Sequence, residues 1–125
     1  MTMPDERMRS LNWGYELLQA LADDETLPMF VRERAAALIP DYPTAPLLER
    51  LLREDRPSLQ AAMEAALAKA GRLFVDVRVT GTGSVPTRRD LVYVLRHFPD
   101  PGTIRLMGRE GALQDWIELD DRRGA

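Results

Sequence analysis

Apolar residues in the first seventy positions recur at spacings of three and four, the period of a helix with one buried face. Met8, Leu11, Tyr15, Leu18 and Ala22 form the first stripe, with Trp13 and Leu17 widening it. Thr2-Met3-Pro4-Asp5 has the Thr-x-x-Asp form of a capping box and predicts where that helix begins. Gly14 weakens a helix by about 1 kcal/mol relative to alanine, so its presence there marks a close packing contact. Asp23-Asp24-Glu25 would place carboxylates at the negative end of the helix dipole, which assigns them to the following loop. Thr26 with Pro28 starts a second helix carrying Leu27, Phe30, Val31 and Leu38, and Asp41-Tyr42-Pro43 ends it, because a residue before proline avoids helical backbone. Thr44 with Pro46, then Asp55 with Pro57, repeat the start signal. They predict a third helix with Leu47, Leu48, Leu51 and Leu52, and a fourth with Leu59, Met63, Ala66, Leu67 and Ala70 that Gly71 closes.

After Gly71 the period drops to two. In LFVDVRVT, Leu73, Val75, Val77 and Val79 alternate with Phe74, Asp76, Arg78 and Thr80, the pattern of a half-buried strand. Gly81-Thr82-Gly83-Ser84 reads as a turn, and Thr87-Arg88-Arg89-Asp90 as a second capping box that starts a helix through Phe98. Thr103 to Met107 reads as a strand. ALQDWIEL after GREG reads as the return strand of a hairpin, with a helix presenting Ala112, Leu113, Trp116 and Ile117 as the alternative. The predicted fold class is therefore α+β: about four helices, then a β-α-β-β unit with a small, mostly antiparallel sheet. No linker composition separates the helical half, about 1–71, from the second half, about 72–120, and a single compact domain over 1–125 is expected. RERAAALIPDYPTAPLLERL (32–51) and RRDLVYVLRHFPDPGTIRLM (88–107) align without a gap, each leaving a helix at an aromatic-Pro pair.

Composition narrows the class. At 125 residues, 45% hydrophobic and 30% charged, the chain is of ordinary globular type, and no apolar run approaches a membrane span. The N-terminus lacks the apolar core of a secretion signal and cysteine is absent, so a cytoplasmic protein without disulfide or thiolate chemistry is expected. A net charge of −3 opposes a surface that tracks nucleic acid throughout.

Candidate chemistry is sparse. His97 is the single histidine. Counting 100° per residue puts Leu91, Val94, Leu95 and Phe98 on the buried face of its helix, Arg89, Tyr93 and Arg96 opposite, and His97 on the flank in the last turn. There Arg96 and His97 can approach the free carbonyls, and with no Ser or Cys nucleophile motif nearby a helix-end role outweighs acid–base catalysis. Arg89, Tyr93 and Arg96 are the better functional candidates, since arginine and tyrosine carry a disproportionate share of interface energy. GTGSVPT, through Gly81, Gly83 and Arg88, is a candidate anion-binding loop at a helix N-terminus, although it matches neither a P-loop nor a dinucleotide fingerprint. Asp115, Glu118, Asp120 and Asp121 lack the spacing of a calcium loop and read as a solubilising end. Asp76 is placed to pair with Arg78 across a neighbouring strand, with an approach to Asp90 as a metal pair the lesser alternative. Trp116, on an exposed strand face, would anchor a partner; the plainer reading of both Trp13 and Trp116 is core.

The opening MTMPDER, the segment LPMFVRERAAALIPDYP and the spacing between them resemble an uncharacterised family of short proteobacterial proteins. Its members begin Met-Thr-Met-Pro-Asp/Tyr-Glu-Arg and carry a second helix ending in Arg-His-Tyr-Pro. The resemblance covers residues 1 to about 50 and departs at Ile39-Pro40-Asp41-Tyr42-Pro43, although Arg96-His97-Phe98-Pro99 carries that form later. It implies a bacterial source and a small helical module, and brings no activity with it.

Three functions follow as expectations. The first is a protein-binding or regulatory module without enzymatic activity, using Arg89, Tyr93, Arg96 and Trp116. One form of it is an accessory protein of a mobile element that inhibits a host defence or toxin system, and a homodimer is a candidate assembly. The second is a nucleic-acid binder offering Arg88, Arg89 and Arg96 to phosphates, whose affinity would fall steeply with salt. The third is an enzyme on a small anionic substrate at the GTGSVPT loop with His97 as base, a pairing opposed by the roughly 15 Å of helix between them. No metal or cofactor is expected.

Overall fold

The computed structural model describes residues 4–54, 58–109 and 111–117. Their order is α1 (Pro4–Asp23), α2 (Met29–Leu38) running into a 3-10 turn (Ile39–Asp41), α3 (Ala45–Leu52), α4 (Ala61–Thr80), α5 (Val85–His97) and α6 (Pro101–Leu106), followed by a helical segment, α7 (112–117). Among the described residues there is no strand, and the expected α+β fold with its sheet gives way to an all-helical one.

The departure begins at Gly71. Rather than closing a helix, Gly71 lies inside α4, where an added Cβ would come within 3.1 Å of the Phe98 ring. Phe98 thus packs against bare backbone, and α4 runs on for nine further residues to Thr80. Ala66, Leu67, Ala70, Leu73, Phe74 and Val77 form one continuous buried stripe, while Val75 and Val79 face solvent, 48% and 79% exposed. The alternation of LFVDVRVT comes from β-branched residues on the outer face of a helix, where tertiary packing overrides a weak propensity. Gly81 is the actual stop: its φ of 67° is left-handed, and its N–H donates to the carbonyls of Val77 and Arg78.

The later elements correct in the same direction. Ser84, not Thr87, caps α5, accepting from the Thr87 N–H at 3.3 Å, and Thr87 is buried in the first turn. Thr103 to Met107, expected as a strand, falls in and just after α6, which Asp100 caps by accepting from Thr103 N–H at 2.8 Å. The 112–117 segment takes the helical alternative, with Leu113 and Ile117 one turn apart and buried. The first capping box and Glu118, Asp120 and Asp121 lie outside the described residues or side chains, as do Asp55 and Pro57, but the helix expected to start at those two begins only at Ala61, after Gln60, and leaves Leu59 ahead of it.

A shift of 56 positions superimposes one half of the chain on the other. It carries the start of α2, Met29, onto that of α5, Val85, and the start of α3, Ala45, onto that of α6, Pro101. It also carries Tyr42-Pro43 onto Phe98-Pro99. Burial follows the same register: Leu11 and Leu67, Leu17 and Leu73, Leu18 and Phe74, Leu21 and Val77, Val31 and Thr87, Ala35 and Leu91, Leu48 and Ile104 are buried in both halves. The short echo at the aromatic-Pro exits is thus part of a whole-module repeat of long helix, turn, helix, aromatic-Pro and short helix. Both α1 and α4 pack against α2 and α5, more extensively for α1, while α4 alone also packs closely on the short helix of its own half, and one hydrophobic cluster runs through both. Among the described residues no helix is long and apolar enough to cross a membrane.

Candidate functional site

Helices α1 and α5 run side by side, and their outer edges enclose a groove of about 470 Å³. Trp13, Glu16 and Leu17 face it from α1, one helical turn deep, and Arg89, Asp90, Tyr93 and Val94 from α5. Leu17 and Val94 are buried and form the floor. Trp13 and Tyr93 rise as walls, 37% and 49% exposed, and the Arg96 guanidinium lies 6.0 Å from the centre of the Tyr93 ring. Two aromatic rings stand beside the carboxylates of Glu16 and Asp90, with Arg89 on the same lining, so a cation would gain from ring quadrupoles and carboxylates against one resident guanidinium.

The repeat supplies a control for this arrangement. Its equivalent positions in the other groove, between α2 and α4, are Lys69 for Trp13, Arg72 for Glu16, Arg34 for Asp90 and Ala37 for Tyr93. That groove has about the same volume, 490 Å³, yet carries no aromatic wall and the opposite charge. The repeat-related packing of α4 on α2 thus forms without an aromatic and acidic set at these positions.

The orientation of α5 is set by Asp24. Its Oδ2 accepts from Ser84 N–H at 3.0 Å and from the Thr87 hydroxyl at 2.7 Å, and its Oδ1 accepts from Thr26 N–H and hydroxyl. Burial raises the Asp24 pKa, but these hydrogen bonds outweigh it and hold the carboxyl far below the usual range. The GTGSVPT loop does receive an anion, and it is this carboxylate of the same chain. Gly81 and Gly83 serve backbone geometry there, with φ of 67° and 105°, while Arg88 is exposed.

Of the sequence-picked residues, Arg89 and Tyr93 line the groove and Arg96 stacks on Tyr93. Trp116 is not part of it. Partly buried on the core, it has the Arg7 guanidinium 5.3 Å from its ring centre, and Arg7 Nη1 donates to its carbonyl. His97 ends α5 and is partly exposed. Asp76 pairs with Arg34 of α2 at 3.3 Å, not with Arg78. Glu16 was missed by sequence reasoning, and Asp90 was weighed only as a metal partner of Asp76. The spacing of Trp13 to Glu16 and of Asp90 to Tyr93 puts each pair on one helical face, but nothing in the sequence says that α1 meets α5. Among the described residues no three His, Asp or Glu side chains converge as a metal site would require. No family model, curated protein or solved structure matches this chain.

Proposed function

We propose that this protein is a binding module without catalytic chemistry, and that the α1–α5 groove takes a basic side chain from a segment of another protein. The observation that supports this most directly is the contrast between the two repeat-related grooves. The fold tolerates Lys69, Arg72 and Ala37 where Trp13, Glu16 and Tyr93 stand, so the exposed aromatic-acidic set answers to something outside the fold. A lysine or arginine between Trp13 and Tyr93 would meet Glu16 and Asp90, while Arg89 and Arg96 at the edge would engage acidic or carbonyl groups flanking it. Glu16 and Asp90 oppose a phosphate in the same place, which weighs against the nucleic-acid reading. Asp24 opposes an anionic substrate at the GTGSVPT loop, which weighs against the enzyme reading.

The test is affinity capture with the wild-type chain and with a Tyr93→Ala/Arg89→Glu variant, each checked for helicity and run with and without nuclease. Both side chains are exposed, so the variant keeps the core. A protein held stoichiometrically by the wild type through nuclease treatment and lost by the variant supports the reading. Partners captured equally by the variant, or lost entirely with nuclease, overturn it.

A further inference from the structure

A larger cavity, about 670 Å³, opens on the second repeat between α4 and the turn from α5 into α6. Its floor is apolar, built from Gly71, Leu95, Phe98 and Ile104, with Val75 at the side. The repeat explains why it is there. Tyr15 is the first-half equivalent of Gly71, and Tyr42 that of Phe98. In the first half the Tyr15 ring lies against Tyr42, centres 6.0 Å apart and tilted at 41°. In the second half the glycine brings no ring, and one side of Phe98 is left facing the cavity. Asn12 and Trp13 are likewise replaced by the smaller or slimmer Ala68 and Lys69.

Its rim carries two cations and two carboxylates, and the carboxylates are already engaged. Asp76 is engaged by Arg34 at 3.3 Å, and Asp100 is turned to the α6 N-terminus, where it accepts from Thr103 N–H and hydroxyl. Lys69 and Arg72, both exposed on α4 one turn apart, border the same opening.

We infer that this cavity is a binding site for a small aromatic carboxylate, its ring occupying on Phe98 the place that Tyr15 occupies on Tyr42, and its carboxylate meeting Arg72 and Lys69. The volume lies within the range of ligand pockets, roughly 300–1,000 Å³. A ring stacked or edge-on against Phe98 gains aromatic contact beyond its buried area, and the Arg72 guanidinium offers a fork that matches a carboxylate. The site lies on the second repeat and does not depend on the α1–α5 groove.

Amide chemical-shift titration of the full chain tests this with phenylacetate, and with acetate and 2-phenylethylamine as matched probes. Phenylacetate should give saturable shifts centred on residues 68–76 and 95–101. Acetate should give none, and 2-phenylethylamine should bind at least about tenfold more weakly. Arg72→Glu with Lys69→Glu, both on the surface, should reverse the preference between acid and amine. Gly71→Tyr should abolish phenylacetate shifts by placing a ring against Phe98, which must give way by a few tenths of an ångström to the added Cβ, with Val75→Glu as a second block that leaves the core intact. Absence of saturable shifts in the wild type, shifts centred elsewhere, or acid and amine binding equally would each overturn the assignment. So would phenylacetate affinity unchanged in a folded Gly71→Tyr or in Val75→Glu.

Discussion

The contact between Gly14 and Tyr42 allows a quantitative test of how the two halves are built. Tyr42 is 3% exposed, and its hydroxyl donates to the Leu11 carbonyl of α1 at 2.6 Å. A Cβ on Gly14 would fall on that hydroxyl and within 3.1 Å of the Phe98 ring. Gly14→Ala gains about 1 kcal/mol of helix propensity. Against this, the tyrosine must retreat, which strands a buried hydroxyl at about 1–3 kcal/mol and strains the packing by a similar amount. The expected net is a loss of about 3 kcal/mol, large beside the 5–15 kcal/mol that typically holds a domain together. Tyr42→Phe alone should cost about 1 kcal/mol, since the Leu11 carbonyl stays within the helical ladder. The second half already holds the double variant, with Ala70 and Phe98 in the places of Gly14 and Tyr42, and Ala70 is fully buried. Combining Gly14→Ala with Tyr42→Phe should therefore cost no more than about 1.5 kcal/mol, a coupling of about 2 kcal/mol or more in the cycle. Urea denaturation of the four proteins at one pH, with slopes checked for constancy, measures it. Additivity within about 0.5 kcal/mol, or a Gly14→Ala variant more stable than wild type, would refute the reasoning.

The other predictions use the same assay. Asp24→Ala should cost about 2–3 kcal/mol at neutral pH by removing charge-assisted bonds to the α5 N-terminus. Because the folded pKa of Asp24 is depressed, its contribution is present above about pH 4 and is lost as pH falls towards the folded value, so wild type and variant should converge in acid; a constant difference down to low pH would refute the assignment. Burial pushes the Tyr42 phenol up, so its share of stability is present below about pH 10 and is lost as pH rises beyond it. Tyr42→Phe should accordingly lose less stability than wild type in strong alkali. The Ser10 hydroxyl is buried without a hydrogen-bond partner and its repeat equivalent is Ala66, so Ser10→Ala should stabilise by about 1 kcal/mol; a loss of that size would show that the hydroxyl is paired. Gly81→Ala should cost about 1 kcal/mol from its left-handed backbone alone, because nothing lies within 4 Å of the added Cβ.

The helices of the first half were legible because their apolar periods and proline starts agree. Met29–Leu38 and Ala45–Leu52 lie close to where Pro28, Thr44 and Pro46 put them. The second half misled because two local signals were given their commonest meaning. Gly71 looked like a stop, whereas it admits the ring of Phe98 into α4. The Val-rich run after it looked like a strand, whereas Leu73, Phe74 and Val77 continue a stripe already begun at Ala66. A helical count carried through Gly71 would have shown that continuity. Asp24 could not be assigned from sequence, since its partners Ser84 and Thr87 lie sixty residues away and meet it only once α1 and α5 have packed. Arg89, Tyr93 and Arg96 could be placed on an exposed face by counting, because that depends on one helix alone. Their neighbours Trp13, Glu16 and Asp90 could not be joined to them without knowing which helices touch.

The repeat separates what the fold needs from what it merely permits. Positions that keep their character under the 56-residue shift, such as Leu11 with Leu67, Ala35 with Leu91 and Leu48 with Ile104, are core positions whose exchange is constrained by volume. Positions that change character are of three kinds. Gly14 with Ala70 and Tyr42 with Phe98 change together, since a hydroxyl in one half requires the missing methyl beside it. Trp13 with Lys69, Glu16 with Arg72, Asp90 with Arg34 and Tyr93 with Ala37 also change, but along the grooves. Tyr15 with Gly71 shows the third consequence, a ring present in one half and a cavity in the other. Two equivalent modules that share one core have thus come to present an aromatic-acidic groove, a basic groove and an apolar-floored cavity. Differences of this kind on a common frame are what ligand selection acts on, and they concentrate the search for function on α1–α5 and on the cavity beside Phe98.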